Sequence, residues 1–333
     1  MTQKRNDKPY IGVWGPTSSG KTSLIASALA MLESRIWVPT ADGEKEYYGV
    51  EATDSDENAI FYLNGIKTLL QTGQFPVPTP TTDHERPLSL SVMLRDVHKD
   101  GRIGRYHHLV LSDTGGEMAS NTDSSSSYWQ DLKGATAILF VIDGDPRRRT
   151  FNLANWGYPK LIQNFIQMMG GRDGLREKYL AVCITKADLN HPSPAAALRQ
   201  KKDGYQALLR SIVGDSITPL LASFTDTARS GSLAARRFEI FLTSASGWIP
   251  DHSENQWRSN TVEDNSGLLQ IDDYHSWRSY QAARAFLWLF DQIEADQIYR
   301  HRLPFLRDFT FKQRRKNLDI LKTLYASDDE YFP

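Results

Sequence analysis

The chain has 333 residues, 40% hydrophobic and 11% aromatic, which is enough for one large or two modest cores and excludes both a disordered chain and a disulfide-stapled miniprotein. Lys and Arg number 39 against 40 Asp and Glu, so no global field draws the protein to nucleic acid or anionic lipid, and any such partner needs a local patch. The single cysteine, Cys183, cannot form an internal disulfide, and its apolar run from Ala181 to Ile184 reads as buried strand in a reducing, cytosolic compartment.

The longest near-apolar stretch, Ala135 to Ile142, falls far short of the roughly 20 residues a membrane helix needs. The polar N-terminal residues run into Pro9 without a signal core, Thr2 stands where myristoylation needs glycine, and no cysteine lies near the C-terminus; the expectation is a protein without a membrane anchor.

Taken in chain order, Tyr10 to Trp14 reads as a strand, followed by a Gly-rich turn and a helix from Ser23 to Leu32 with Leu24, Ile25, Ala28, Leu29 and Leu32 at helical spacing. Leu88 to Val97 and Tyr106 to Leu111 flank the turn residues Lys99 to Arg102 and predict an antiparallel hairpin. Ala135 to Ile142, Tyr179 to Ile184 and Phe238 to Leu242 are further strands separated by helix-length segments such as Asn152 to Met169, an alternation that predicts a mostly parallel sheet between helices. Ala283, Phe286, Leu287, Phe290 and Ile293 form the apolar stripe of a closing helix.

Four stretches exceed a minimal α/β domain: 34–75, with an extra helix over Ala59 to Leu70; 190–235, helical and polar; 250–273, rich in Asp, Ser and Asn; and the tail 303–333. They read as insertions within a single domain spanning 8–302, followed by that tail. Ser120 to Ser127 has a composition that cannot pack and is expected to be mobile.

The strongest motif is Gly15-Pro16-Thr17-Ser18-Ser19-Gly20-Lys21-Thr22, a complete G-x-x-x-x-G-K-T phosphate loop between strand and helix. Its glycines turn backbone N–H groups toward phosphate, the helix start adds its dipole, Lys21 reaches the β and γ phosphates, and the Thr22 hydroxyl ligates Mg²⁺. Gly15, Ser18, Ser19, Gly20, Lys21, Thr22 and Ser23 are therefore the candidate phosphate-binding residues.

Next, the strand Leu109 to Ser112 ends in Asp113-Thr114-Gly115-Gly116-Glu117. An acid there holds a metal-bound water, and the Gly116 N–H is placed to sense a γ-phosphate. Asp143, after Phe140-Val141-Ile142, is the rival acid and is read first as a turn or cap residue. Thr185-Lys186-Ala187-Asp188 follows another strand: a carboxylate there accepts both N1–H and N2–H of guanine, a pair adenine cannot offer, while the Lys186 stem lies over the ring. Ser244-Ala245-Ser246 is a small-residue turn whose backbone N–H meets the guanine O6.

On these four motifs, in this order and each at a strand end, the chain resembles the Ras-like, translation-factor-related P-loop GTPases over roughly 8–295. The resemblance implies a three-layer α/β fold with one antiparallel hairpin strand, helical insertions and a helical tail. Within that class, Gly73-Gln74-Phe75-Pro76-Val77-Pro78-Thr79 is similar to the Gly-x-aromatic-Pro-x-x-Thr switch of bacterial double-GTPase families, predicted components of conflict or defence systems. It implies that Thr79 closes on Mg²⁺ and the γ-phosphate, with Thr81 and Thr82 as competitors for that role.

Two departures bear on turnover: Glu117 stands where many small GTPases have Gln, and Thr17 where they often have Gly. A carboxylate beside a γ-phosphate is repelled, so the expected activity is slow GTP hydrolysis, with Lys21, Thr79, Gly116 and Glu117 as candidate catalytic residues and Thr22, Thr79 and Asp113 around Mg²⁺. Arg147 to Arg149 are read as a solvated charge run or a cation supplied in cis. The tail is basic from Arg300 to Lys322 and carries a stripe of Leu318, Leu321, Leu324 and Tyr325, suited to its own domain, a protein effector or, less readily, nucleic acid. The overall expectation is a GTP/GDP-dependent switch with a protein partner; the alternatives are a P-loop ATPase or kinase and a nucleotide-binding scaffold without turnover.

Overall fold

In the computed structural model the described residues are 10–33, 36–39, 45–52, 64–65, 68–69, 71–75, 88–97, 103–113, 119–120, 122–148, 157–199, 202–224, 237–251, 253–254, 256–263, 269–273, 277, 279–286, 288–289 and 292–293. Eight strands form one sheet: β1 (Tyr10–Trp14), β2 (Ile36–Pro39), β3 (Lys45–Ala52), β4 (Leu88–Val97), β5 (Ile103–Asp113), β6 (Ala137–Ile142), β7 (Tyr179–Ile184) and β8 (Phe238–Leu242). Their spatial order is β2-β3-β4-β5-β1-β6-β7-β8. From β5 to β8 every pairing is parallel, with Gly12 opposite both Ser112 of β5 and Ile138 of β6. From β2 to β5 every pairing is antiparallel.

Two apolar layers sandwich the parallel half because its strands alternate sides with period two. Along β6, Ala137, Leu139 and Val141 join one core and Ile138, Phe140 and Ile142 the other. The first core is closed by α1 (Lys21–Glu33), through Leu24, Ile25, Ala28 and Leu29, and by the C-terminal stripe Ala283, Phe286, Leu289 and Ile293. Of the stripe expected from sequence, Leu287 and Phe290 lie outside the described residues. The second core centres on Trp14, stacked on Phe140 with ring centroids 4.0 Å apart and packed against Phe165 at 5.3 Å. Truncating so large and fully buried a side chain costs about 3–5 kcal/mol.

The sheet is longer on its antiparallel side than the sequence pattern indicates. Residues from the expected insertion 34–75 supply β2 and β3, whose hairpin adds to β4. Within the helix expected over Ala59 to Leu70, the described residues 64–65 and 68–69 are helical. The segment 190–235 forms helices over Pro194–Arg199, Lys202–Val213 and Ile217–Ser223, and its Leu209, Ile212, Val213, Ile217 and Leu220 are buried in the second core. It is the crossover from β7 to β8, and its apolar stripe faces the sheet.

The segment 250–273 forms two short ladders, β9 (Trp248–Asp251) with β10 (Gln256–Ser259) and β11 (Thr261–Glu263) with β12 (Leu269–Ile271). Within the Ser-rich stretch, the described residues 122–127 form a turn that leads into a helix. Asp123 Oδ1 accepts from the Ser125 N–H at 2.9 Å and from its hydroxyl at 2.6 Å, leading into α2 (Ser127–Gly134), which buries Tyr128, Trp129 and Leu132. The tail 303–333 lies outside the described residues.

Candidate nucleotide-binding site

Parallel pairing brings the C-terminal ends of β5, β1, β6, β7 and β8 to one edge of the sheet, where α/β proteins bind ligands. The loop after β1 turns through Ser18 at φ 63° and Gly20 at φ 87° before α1 begins at Lys21. At Gly20 the left-handed backbone favours glycine, since a side chain there would be strained even though space for a Cβ exists; at Ser18 a serine carries a similar conformation, a local cost of the kind seen at binding sites. The Ser19 N–H donates to Pro16 O at 3.2 Å and the Leu24 N–H to Gly20 O at 2.8 Å, closing the turn and starting the helix.

Lys21 is buried, 7% exposed, with Nζ donating to Gly15 O at 2.8 Å and Pro16 O at 3.1 Å. Its ammonium is thus held over the mouth of the loop. Thr22 and Ser23 lie half-buried in the first helical turn. The Ser19 hydroxyl is fully buried and has no hydrogen-bond partner among the described residues.

The β7–α3 corner, α3 being Ala187–Asn190, grips this loop from the neighbouring strand. Thr185 Oγ1 lies 2.7 Å from Ser19 O and 3.0 Å from Ile142 O. Lys186, at φ 57°, places Nζ 3.4 Å from Ser18 O and 2.8 Å from Asp143 Oδ1. Asn190, which sequence reasoning passes over, ties the corner to the β6 end through Nδ2, 2.6 Å from Gly144 O and 3.1 Å from Lys186 O. Only glycine fits at 144, since a Cβ there would lie 2.1 Å from Thr185 O.

Asp143 is a turn residue in this geometry. Its Oδ1 accepts the Asp145 N–H at 3.0 Å, Arg148 approaches Oδ2 at 3.5 Å, and its own N–H donates to the Tyr158 hydroxyl at 2.5 Å. Burial pushes the Tyr158 phenol well above its usual range, so it stays neutral. Arg147 grips Asp145 with Nε 2.9 Å from Oδ1 and a terminal nitrogen 2.7 Å from Oδ2, and this side-chain hydrogen bonding holds the Asp145 carboxyl below the usual carboxylate range. Arg147 and Arg148 therefore serve local carboxylates, and Arg149 lies outside the described residues.

At the far end, Asp188 sits in the first turn of α3, half-buried, where three hydroxyls converge on it. Ser244 Oγ donates to Oδ1 at 2.6 Å, Ser246 Oγ to Oδ2 at 3.2 Å, and Ser259 Oγ also to Oδ2. Sequence reasoning finds Ser244 and Ser246 but not Ser259, which lies 71 residues from Asp188 with no motif to mark it. The turn holding Ser244 is rigid: its N–H and C=O bridge Tyr280 at 3.0 and 2.8 Å, and its hydroxyl accepts the Gly247 N–H at 2.8 Å. Ala245 O accepts from Trp277 Nε1 at 2.8 Å.

The expected metal residues are only partly in view. Asp113 ends β5 opposite Leu88 and one residue beyond the Gly12–Ser112 pairing, so its backbone lies beside the end of β1. Thr79, Thr81, Thr82, Gly116 and Glu117 lie outside the described residues, while Gly73 and Gln74, at the start of the switch-like segment, pair with β12. Among the described residues no three His, Cys, Asp or Glu side chains form a metal cage. A hydroxyl at Thr22 and a carboxylate at Asp113 are hard oxygen donors of the kind Mg²⁺ takes when phosphate supplies further ligands, so the donor set fits.

The sequence profile of the Double-GTPase 2 family matches residues 9–261, from the strand before the phosphate loop through the ladder carrying Ser259. The chain belongs to the Double-GTPase 2 family. No curated protein matches it. Among solved structures it is similar to the S. cerevisiae Ski7 GTPase-like domain bound to GDP and inorganic phosphate, at 15% identity and TM-score 0.37 over 72% of this chain and 43% of that one. It is similar also to a GTP-binding protein from Sulfolobus solfataricus in complex with GDP (16%, TM-score 0.27, 71% and 47%) and to a septin GTPase domain from Chlamydomonas reinhardtii (14%, TM-score 0.35, 92% and 98%). The chain spans less than half the length of the Ski7 and Sulfolobus structures. Among the described residues of this GTPase-family protein, no helix is long and apolar enough to cross a membrane.

Proposed function

We propose that the protein binds GTP with Mg²⁺, hydrolyses it slowly, and uses the difference between GTP and GDP to signal to a partner protein. The observation that carries this reading is the position of the Asp188 carboxylate, on the corner whose Thr185 and Lys186 are tied to the phosphate loop. A carboxylate fixed there accepts from a guanine edge while the loop holds the phosphates. Gly15 and residues Ser18 to Ser23 cradle the phosphates, with Lys21 turning from its carbonyls to the β and γ oxygens. Because Ser244 N–H is committed to Tyr280 O, the amides of Ala245 and Ser246 take the guanine O6.

Thr22, Thr79 and Asp113 hold the metal and its water; the ion supplies charge neutralisation at the β and γ phosphates. The Gly116 N–H meets the γ-phosphate. Glu117 brings a negative charge beside that group, which opposes alignment of the attacking water and makes turnover slow. Similarity of Gly73 to Thr79 to the double-GTPase switch extends the proposal to a role in a bacterial conflict or defence system.

Phosphate release from GTP, measured with magnesium and with chelator, tests the reading. Magnesium-dependent release that Thr79→Ala abolishes and Glu117→Gln accelerates is the expected result. Turnover of ATP in preference to GTP would favour the ATPase or kinase alternative, and tight GTP binding with no release under any condition would favour a scaffold.

A further inference from the structure

The base end of the site contains more donors than its acceptor can hold, and this follows from lone-pair counting. An ionised carboxylate offers about four acceptor positions, two on each oxygen. Among the described residues, Ser244 takes one on Asp188 Oδ1, and Ser246 and Ser259 take both on Oδ2. Guanine brings two donors, N1–H and N2–H, one for each oxygen. Oδ1 has room for its share, whereas Oδ2 does not, so one serine must let go.

The three serines differ in how they are held. Ser244 is locked by its bridge to Tyr280 and by the Gly247 N–H on its hydroxyl. Ser246 is buried at 6% exposure on the same tight turn, and its alternative acceptor, the Ser244 hydroxyl 3.2 Å away, already takes the Gly247 N–H while donating its own proton to Asp188. Ser259 arrives from a separate element, the β9–β10 ladder, and has a second acceptor ready on its own strand path: Thr261 Oγ1 lies 3.1 Å from its hydroxyl. The next residue, Asn260, is fully buried and fixes the backbone there, its N–H donating to Gly247 O at 3.0 Å and its Oδ1 accepting the Asp273 N–H at 2.8 Å. Ser259 can therefore change acceptors by rotating its hydroxyl without moving the ladder.

We propose that Ser259 is a specificity-determining residue of the base site: its hydroxyl competes with the guanine 2-amino group for Asp188 Oδ2 and passes to Thr261 Oγ1 when guanine binds. This rests on Asp188 being the base carboxylate. N1–H is assigned to the open position of Oδ1 and the 2-amino group to Oδ2, so the competition acts on the second donor only. A hypoxanthine base, which has N1–H and lacks the 2-amino group, brings the count on Asp188 to four and displaces nothing.

The test is a titration of nucleotide-stripped protein with GDP and IDP, comparing wild type, Ser259→Ala and Thr261→Val. Ser259→Ala should raise the ratio of GDP to IDP affinity by roughly tenfold, the order of one hydrogen bond to a charged group removed from the competing arrangement. Thr261→Val removes the alternative acceptor and should lower GDP affinity relative to IDP. A wild-type circular dichroism spectrum shows that each variant is folded. An unchanged GDP to IDP ratio in both variants, or a fall in that ratio with Ser259→Ala, overturns the proposal; if Ser259→Ala does not fold, the Thr261→Val ratio decides alone. A wild type that binds ADP as well as GDP would instead overturn the assignment of Asp188, and the two failures are thereby distinct.

Discussion

In the proposed site, the phosphate end and the base end are built by different means. At the phosphate end the main chain forms the cradle, with Ser18 and Gly20 in left-handed conformations and the loop carbonyls of Ser18 and Ser19 held by Lys186 and Thr185. At the base end a single carboxylate is positioned by hydroxyls from two separate segments, 244–246 and 259. A main-chain cradle tolerates few substitutions and recognises any nucleotide; a side-chain cluster can be retuned one hydroxyl at a time and sets which base is accepted.

The largest expected effect is at the phosphate end. Lys21→Ala removes the buried ammonium aimed by Gly15 O and Pro16 O, and GTP affinity in a fluorescence titration should fall by about a hundredfold, from lost charge-assisted hydrogen bonds. Unchanged affinity would mean that the loop binds no phosphate. The junction between the two ends is less costly to break. Thr185→Val keeps the shape and loses the hydroxyl beside Ser19 O, which at about 1 kcal/mol predicts a fall of roughly fivefold for GTP and ATP alike. A loss confined to GTP would show that Thr185 serves the base end instead.

How much was legible in the sequence follows the same division. The phosphate loop is contiguous, so eight successive residues from Gly15 to Thr22 carry the signature in one place. The parallel strands were legible because burial on both faces leaves uninterrupted apolar runs such as Ala137 to Ile142. Ser259 was not, because a serine in a polar segment carries no signal until the β9–β10 ladder folds it onto Asp188. β2 and β3 were hidden for a related reason: Lys45–Ala52 sets Tyr47, Tyr48 and Val50 among charged residues and Gly49 without regular alternation, and it joins the sheet by pairing with β4. The helices after β7 read as a polar insertion because their apolar residues form only one stripe, which the fold turns inward.

The smallest expected effect lies at the edge of the site. The Asp145 carboxyl is held low chiefly by the Arg147 side chain, so the folded protein gains stability from its ionised form above the ordinary carboxylate range. That gain is lost as pH falls through the depressed folded value. Arg147→Ala should therefore lower the melting temperature slightly at neutral pH, and the gap from wild type should close as the solution is acidified below about pH 4. The gap is small because Arg147 is 78% exposed and water screens the pair. A gap that persists undiminished in acid would assign the effect to packing.

The account stands or falls on guanine at Asp188, and the direct measurement is a competition among GTP, XTP and ATP on wild type and Asp188→Asn. Asparagine replaces one acceptor with an amide donor, which faces the guanine 2-amino group unfavourably and suits the xanthine carbonyl at that position. The predicted result is a wild type that selects GTP and a variant whose guanine binding falls by about 1–3 kcal/mol while its preference moves to XTP. A wild type that prefers ATP, or a variant that still prefers GTP, would contradict the account.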